Sequence, residues 1–257
     1  GTSGSRYIDG QMCDFRIYKG FNKYLENFVP AGSHFETDFL LDVPSSGAYN
    51  KIALPNVCDS KTGGSVTFNG RYSGQVVENS SDFTFGTGSW TIECWILSDK
   101  VIPQSCWRAF LTLGPGHSSS KGITLYAPRS NVLSGTSTVI LNSVNPTMVT
   151  ETIIADGGWH HMALVKDSKE GVTRYFVDGK EECSVADTTD YDVADDLYIG
   201  YGPACGDLGQ QSGNYAGLIS NLRVTKGQAI YISEFDVPTE PLTLTSQGAI
   251  ASNVKFL

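Results

Sequence analysis

Short apolar runs recur along this chain about 8–12 residues apart, and turn-forming residues separate them. The clearest run is Trp90–Leu97 (WTIECWIL). Apolar residues dominate both of its alternating faces, which predicts a central strand buried between two layers. No segment longer than a turn or two has the period of a helix. The pattern therefore predicts an all-β fold, a two-sheet antiparallel β-sandwich of the jelly-roll type.

Turn signals divide this pattern into individual strands. Asp178-Gly179 separates the alternating runs Val172–Val177 and Glu181–Val185, which is typical of a type I′ hairpin. Asn69-Gly70 divides residues 65–78 into two short strands. Further strands are predicted at Thr37–Leu41, Arg108–Leu113, Gly122–Tyr126, Thr138–Asn142, Met148–Ala155, Trp159–Lys166 and Leu197–Tyr201.

Residues 215–231 (YAGLISNLRVTKGQAIY) predict a long strand that turns at Lys226-Gly227. Tyr231 and Phe235 then anchor the chain before a proline-rich exit. Strict strand alternation places two sets of side chains on opposite faces: Leu218, Ser220, Leu222 and Val224 on one, and Ile219, Asn221 and Arg223 on the other.

The same pattern occurs near the N-terminus, at an ungapped offset of 207 residues. Six of 19 positions are identical: Gly10/Gly217, Arg16/Arg223, Lys19/Lys226, Gly20/Gly227, Tyr24/Tyr231 and Phe28/Phe235. Four more pairs are conservative: Asp14/Asn221, Phe15/Leu222, Ile17/Val224 and Leu25/Ile232. A period of this length corresponds to one whole domain. Residues 1–35 are thus predicted to be the closing segment of a preceding repeat plus a linker, and residues 36–242 a complete module. Residues 243–257 are predicted to be a linker and the possible first strand of a following module.

The N-terminal segment carries side chains that require burial, although the module already has its own closing strand. These are Phe15, Ile17, Tyr18, Tyr24 and Phe28. We expect them to be buried in a preceding module, in the same longer polypeptide or in another chain by strand addition. Copies of the chain or neighbouring modules would then assemble head-to-tail. The alternative is that the segment folds back on its own module as an extra edge strand.

The net charge and the cysteines limit which binding partners and which redox compartment can be expected for this chain. The net charge is −9, which disfavours nucleic acid and anionic membranes as partners, and no stretch is apolar enough for insertion into a membrane. The six cysteines include no CxxC pair, so zinc or thioredoxin chemistry is not expected. The sequence leaves two alternatives for the six cysteines, disulfides and buried free thiols. If disulfides form, Cys183 and Cys205 are better candidates than Cys94, which lies within a predicted strand.

Six motifs occur in one order: SVTFNG at 65–70, SSDFTFGTGSWTIECWI at 80–96, WHHMALVK at 159–166, YFVDGKE at 175–181, LYIG at 197–200 and GLISNLRVTKG at 217–227. This series resembles the laminin-G-like, concanavalin A-like jelly-roll family, as found in phage tail, virion-surface and secreted microbial proteins. The resemblance covers about residues 36–242. It implies an extracellular or virion-surface location and two competing roles. One is a structural module of a fibre or filament, with or without glycan contact. The other is a lectin-like module that binds a carbohydrate or receptor.

No catalytic residues are predicted. Retaining glucanases of this fold carry carboxylates in an E-x-D-x-E arrangement on one strand, about 5 Å apart on one face. The corresponding run here has only Glu93, which is more simply a paired or rim carboxylate. His160 and His161 are adjacent on a strand, so they point to opposite faces and are expected to pack rather than to chelate one ion.

The long glycine-rich loop at 200–215 is the predicted ligand site, because a sugar site needs aromatic faces with polar groups beside them. Its candidate residues are Tyr201, Asp207, Gln210, Gln211, Asn214 and Tyr215. The alternative is that both tyrosines simply close the edge of the core. Asn79 begins an N-glycosylation sequon, and we expect it to be glycosylated only if the source organism glycosylates secreted proteins.

Loop aspartates make calcium (Ca²⁺) a possible ligand, with solvated turn carboxylates as the default. They are Asp82, Asp187, Asp190, Asp192, Asp195, Asp196 and Asp207.

Overall fold

The computed structural model describes residues 64–70, 74–98, 108–114, 121–127, 135–142, 144–192, 195–202 and 214–257. All the described residues belong to one compact unit, Asn56–Leu257. The predicted strand at Thr37–Leu41 lies outside the described residues. So do the segment predicted to mediate assembly and its side chains Phe15, Ile17, Tyr18, Tyr24 and Phe28.

The described ranges are built from strands with three short 3₁₀ turns, which confirms the predicted all-β class. The strands are β1 (Val66–Asn69), β2 (Gln75–Val77), β3 (Trp90–Ser98), β4 (Arg108–Leu113), β5 (Ile123–Ala127), β6 (Thr136–Leu141), β7 (Val144–Ile153), β8 (Trp159–Asp167), β9 (Val172–Val177), β10 (Lys180–Ala186), β11 (Leu197–Ile199), β12 (Ala216–Lys226) and β13 (Val254–Phe256). The 3₁₀ turns are Ser81–Phe83, Ser246–Gly248 and Ala251–Asn253.

Two antiparallel sheets form the sandwich. The seven-stranded sheet has the order β1-β12-β3-β8-β9-β10, with β13 also pairing with β12. The six-stranded sheet has the order β2-β11-β4-β5-β6-β7. The predicted hairpin at Asp178-Gly179 joins β9 to β10, and both residues have positive φ (50° and 80°), as a type I′ turn requires. Asn69-Gly70 instead ends a strand of one sheet, and the next strand, β2, belongs to the other.

The main core lies between the sheets, and alternate residues of β3 contribute to it. Trp90, Ile92, Cys94 and Ile96 are buried there, as predicted from the alternation. Trp90 stacks on Phe85, with 5.3 Å between the ring centroids. Burying each large apolar side chain contributes about 1.5–3 kcal/mol, so this strand anchors the sandwich.

The outer face of the seven-stranded sheet is also covered, by residues 227–249, which we call the strap. Tyr231 and Phe235 of the strap stack on each other with a centroid distance of 3.6 Å, and they pack with Phe176 of β9. The backbone NH of Phe235 donates to the carbonyl of Gly179 at 2.9 Å. This covering explains why β3 is buried on both faces.

A β-bulge in β12 changes the predicted alternation. The pairing of β12 with β3 shifts register between Ser220 and Arg223, and Asn221 has φ 48°. Asparagine tolerates this left-handed conformation better than most residues. As a result Ile219 faces the core together with Leu222 and Val224, whereas Leu218 does not belong to that core cluster. The prediction of one uninterrupted alternation was wrong for this reason.

The C-terminal residues complete the same unit. Strand β13 pairs antiparallel with β12, with Phe256 opposite Val224 and Val254 opposite Thr225. The open edge of β12 beyond β1 offers hydrogen-bonding groups that β13 satisfies. The structure therefore places residues 254–256 on this unit, where the sequence had predicted the first strand of a following module.

Candidate functional site

The predicted ligand residues occupy different environments in the structure. Tyr201 is half-buried and lies just after β11. Asn214 and Tyr215 are buried, with exposed fractions of 1% and 0%. Asp207, Gln210 and Gln211 lie outside the described residues.

Tyr215 is a core residue, which contradicts its predicted contact with a ligand. Its ring packs beside Phe68 and Phe110, with centroid distances of 6.2 and 6.0 Å. Its hydroxyl donates to the carbonyl of Leu97 at 2.9 Å. A tyrosine enclosed in this way has no ring face open to a sugar, so the alternative that it closes the core describes it correctly.

Tyr201 instead contacts Tyr198, which is not among the predicted ligand residues. The rings of Tyr198 and Tyr201 meet edge to face, with 5.5 Å between centroids and 79° between planes. Leu197 and Ile199 of β11 are buried, and alternation turns Tyr198 to the opposite, outer face. The alternation in the LYIG motif could have predicted this outward orientation of Tyr198. We call Tyr198 and Tyr201 the tyrosine platform.

Two carboxylates adjoin the tyrosine platform. The Tyr198 hydroxyl donates to Asp196 Oδ2 at 3.4 Å, and the backbone NH of Asp196 donates to Asp195 Oδ1 at 2.7 Å. Partial burial and the charges of Asp195 and Asp196 raise the pKa of Tyr198 to about 12, so its hydroxyl stays protonated. The backbone NH of Asn79, the exposed sequon residue, donates to Asp196 Oδ1 at 2.8 Å. The arrangement combines aromatic faces with hydrogen-bond acceptors.

A second polar cluster, the Glu93 network, lies between the seven-stranded sheet and the strap. Glu93 Oε1 accepts from Arg223 Nε and Nη2, at 2.9 and 2.6 Å. Its Oε2 accepts from the Tyr231 hydroxyl at 2.7 Å and lies 3.2 Å from His161 Nε2. Burial by itself raises the pKa of Glu93, but the contacts with His161, Arg223 and Tyr231 outweigh burial and lower it. Glu93 is thus an ionised carboxylate whose oxygens are all engaged.

The adjacent histidines have separate partners, as their positions on a strand predicted. His160 Nδ1 lies 2.7 Å from Asp178 Oδ2, and its Nε2 lies 3.1 Å from Asp156 Oδ1. Burial alone would lower the pKa of His160, but these two carboxylates raise it. His161 belongs to the Glu93 network on the other face, so the two rings do not share a ligand.

Several of the loop aspartates with described side chains have partners within the chain. Asp187 is buried and accepts from Thr173 Oγ1 at 2.7 Å and from the Tyr191 hydroxyl at 2.8 Å. Asp192 pairs with Lys121, and Asp82 lies 3.8 Å from Lys255. Across the part of the chain that the structure describes, no three His, Cys, Asp or Glu side chains are grouped to hold a metal ion. Asp207 lies outside that part.

The two described cysteines are free thiols. Cys183 packs against the main core from β10, and burial together with the charge of Glu182 raises its pKa to about 11. Burial raises the pKa of the enclosed Cys94 still further. The predicted oxidation of Cys183 is not seen, because its side chain packs toward the core. The other predicted disulfide candidate, Cys205, lies outside the described residues.

None of the helical turns in the described ranges has the length and apolar character needed to cross a bilayer.

Comparisons with known proteins agree with this architecture. A family model described as the concanavalin A-like lectin/glucanases superfamily matches residues 69–228, from the end of β1 to the turn after β12. No curated protein gives a significant match.

Several solved structures are similar to this chain at low sequence identity. A native heptameric SAP-like pentraxin from Limulus polyphemus is 14% identical, with a TM-score of 0.46 over 73% of this chain and 81% of the pentraxin chain. Domain 4 of the extracellular arabinanase AbnA from Geobacillus stearothermophilus, solved with arabinotriose, is 19% identical (TM-score 0.48; 67% of this chain, 75% of that one). The CBM40 domain of the Ruminococcus gnavus IT-sialidase, bound to α2,3-sialyllactose, is 13% identical (TM-score 0.47; 65% and 91%).

Proposed function

The chain belongs to the concanavalin A-like lectin/glucanases superfamily, and on this premise we propose that it is a non-catalytic, carbohydrate-binding module. We place it outside the cell or on a virion surface. The observation that carries the proposal is the tyrosine platform, two half-buried aromatic rings beside two carboxylates.

The tyrosine platform fits the chemistry of a sugar. The apolar face of a pyranose stacks on an aromatic ring, and its hydroxyl groups need nearby hydrogen-bond partners. Asp195 and Asp196 supply acceptors next to the rings, and the Tyr198 hydroxyl, which donates to Asp196, keeps an oxygen that can accept from a sugar hydroxyl. A neutral or cationic glycan suits this site better than an acidic one, because the two carboxylates would repel a negative charge.

The Glu93 network supports the non-catalytic part of the proposal. A glycosidase carboxylate must reach the scissile bond as an acid or a nucleophile. Glu93 is fully buried and its oxygens bind Arg223, Tyr231 and His161, so it cannot contact a substrate without unpacking the strap. We expect no release of reducing sugar from β-glucans, and release that Glu93→Gln abolishes would contradict this.

A glycan array followed by titration calorimetry tests the binding site. We expect Tyr198→Ala and Tyr201→Ala each to weaken binding at least about tenfold, which corresponds to about 1.4 kcal/mol. Tyr198→Phe keeps the ring but loses the hydrogen bond to Asp196, so its effect should be smaller. Ile232→Ala, at an exposed site on the strap, is the matched control and should bind like the wild type. An array without any ligand, or full affinity in both alanine variants, would refute the proposal.

A second candidate function is a structural module that assembles head-to-tail into a fibre or filament with copies of itself or neighbouring modules. The repeat of residues 217–235 at residues 10–28 favours it. Electron microscopy of the full chain and of a variant without residues 1–30 provides the test. Linear assemblies that persist in the truncated variant would exclude a connecting role for the segment.

A further inference from the structure

We propose that residues 10–28 are the closing strand and strap of a second, related sandwich, held there by a buried ion pair between Arg16 and a glutamate of that sandwich. This inference deepens the assembly function and rests on it. The partner it requires is a module of the same construction, with a glutamate on its central strand in the place that Glu93 occupies here.

The two repeated glycines have structural reasons to be glycine. Gly217 has φ 149°, and a Cβ there would lie 2.2 Å from the carbonyl oxygen of Leu97. Gly227 has φ 86°, and its NH donates to the carbonyl of Ser89 at 2.7 Å. Their counterparts Gly10 and Gly20 therefore match positions where the strand and the turn require glycine.

The other four identities hold β12 and the strap on the sheet. Arg223 and Tyr231 bind the two oxygens of Glu93. Lys226 Nζ donates to the carbonyl of Ser81 at 2.7 Å, and Phe235 stacks on Tyr231. Every identity between the two segments thus falls on a residue with a specific contact or backbone conformation. Chance similarity between two strands would not select these positions.

The conservative pairs follow the same geometry, including the bulge. Asn221 occupies the left-handed region, and Asp14, its counterpart, is the other residue type that tolerates it. The core-facing residues of β12 correspond to Met12, Phe15 and Ile17, which are all apolar. Residues 10–28 therefore preserve the core-facing pattern that the bulge creates, and not the simple alternation of a regular strand.

The carboxylate of this module cannot serve both segments. An ionised carboxylate offers about four acceptor sites, and Glu93 already has four partner atoms, two from Arg223 and one each from Tyr231 and His161. Arg16 and Tyr24 consequently need a different glutamate.

One departure indicates that the partner is a related module rather than a second copy of this chain. Thr225 is fully buried, and its counterpart is the much larger Tyr18. Forcing a tyrosine into a packed threonine site would displace its neighbours. The partner must therefore have more space at this point than the present module.

A graft within the full chain tests the fit. Residues 217–235 are replaced by the sequence of residues 10–28, with Thr225 retained to avoid the crowding. We expect a single cooperative thermal unfolding transition. In this graft Arg223→Met should lower the melting temperature by at least about 6 °C, as we also expect in the parent chain. A folded graft whose melting temperature is indifferent to Arg223→Met would overturn the inference.

If the graft does not fold because several small packing defects add up, single substitutions in the parent chain test the inference instead. Asn221→Asp and Val224→Ile should each leave the melting temperature within about 3 °C of the parent, because each introduces the residue of the N-terminal segment. A larger loss in both would overturn the inference. Native mass spectrometry tests whether the partner is a second copy of this chain. If the full chain forms dimers and Arg16→Met abolishes them, the partner is another copy and not a related module, which refutes this part of the inference. These readouts do not depend on filaments, so failure of the assembly function remains distinguishable.

Discussion

Removing the guanidinium of Arg223 should destabilise this module more than any other single loss of charge described above. Arg223 is fully buried and makes two hydrogen bonds to Glu93. Its Nη1 also donates to the carbonyls of Thr243 and Ser246, at 2.7 and 3.0 Å. In Arg223→Met the methionine fills part of the space, but Glu93 remains buried without its main cation. Breaking one side of a buried ion pair costs about 3–5 kcal/mol.

Thermal and chemical denaturation measure this cost. For a unit of about 200 residues, 1 kcal/mol lowers the melting temperature by about 2–4 °C, so we expect a decrease of about 6–20 °C. Lys255→Met is the matched control, since Lys255 forms a partly exposed pair with Asp82 that should contribute at most about 1 kcal/mol. A loss in Arg223→Met no larger than in the control would refute the reasoning.

The pH dependence gives a second, independent readout. In the folded wild type the pKa of Glu93 lies below its ordinary value of 4.5, so the carboxylate stabilises the fold above that pH. This contribution is lost as the pH falls through the lowered pKa. In Arg223→Met, burial opposes the charged form with less compensation, and protonation of Glu93 relieves the penalty. The destabilisation by Arg223→Met should therefore be smaller at pH 4 than at pH 7, and equal losses at both would contradict the account.

Three further predictions concern other sites. Gly179→Ala should destabilise the module more than Gly171→Ala: both have positive φ, but only at Gly179 would a Cβ collide with the backbone of Phe235, at 1.9 Å. His160 has a raised pKa, so its stabilising effect relative to His160→Gln should be complete below pH 6.5 and disappear as the pH rises through that pKa. Iodoacetamide should alkylate Cys183 in the native protein about 100-fold more slowly than an ordinary thiol, since its pKa is raised from 9.0 to about 11. Unfolding curves check the first two predictions and timed mass spectrometry the third, and a fast reaction or a disulfide at Cys183 would contradict the last.

Local signals in the sequence were sufficient for the sheets. The continuous apolar run at Trp90–Leu97 and the Asp178-Gly179 turn predicted a central strand and a hairpin, because both depend on neighbouring residues only. The bulge at Asn221 could not be read in this way. One residue in the left-handed region reverses which side chains face the core, and the sequence pattern alone looked like a regular strand.

The candidate sites depended on contacts between distant residues, which explains the mixed outcome there. Glu93 and Arg223 are 130 positions apart, so their pairing became visible only with the register of β3 against β12. Tyr215 follows a glycine-rich loop and appeared accessible, but the start of β12 turns it into the core. The outward orientation of Tyr198 could have been predicted from the sequence, because strand alternation in LYIG places it on the face opposite to the two buried residues beside it.

The way the strap and β13 are attached has a mechanical consequence. Tension applied at Leu257 would first meet β13, which has only two register pairs with β12 and can be peeled away. Behind β13, the Gln228 side chain holds Ile250 and Gly248 with one hydrogen bond each. The buried Arg223 then holds the strap at Thr243 and Ser246. When fully extended, the eleven residues beyond Ser246 span at most about 36–40 Å, which limits the lengthening before the load reaches Arg223. The module would thus lengthen under a weak pull while both sheets and the core between them stayed intact.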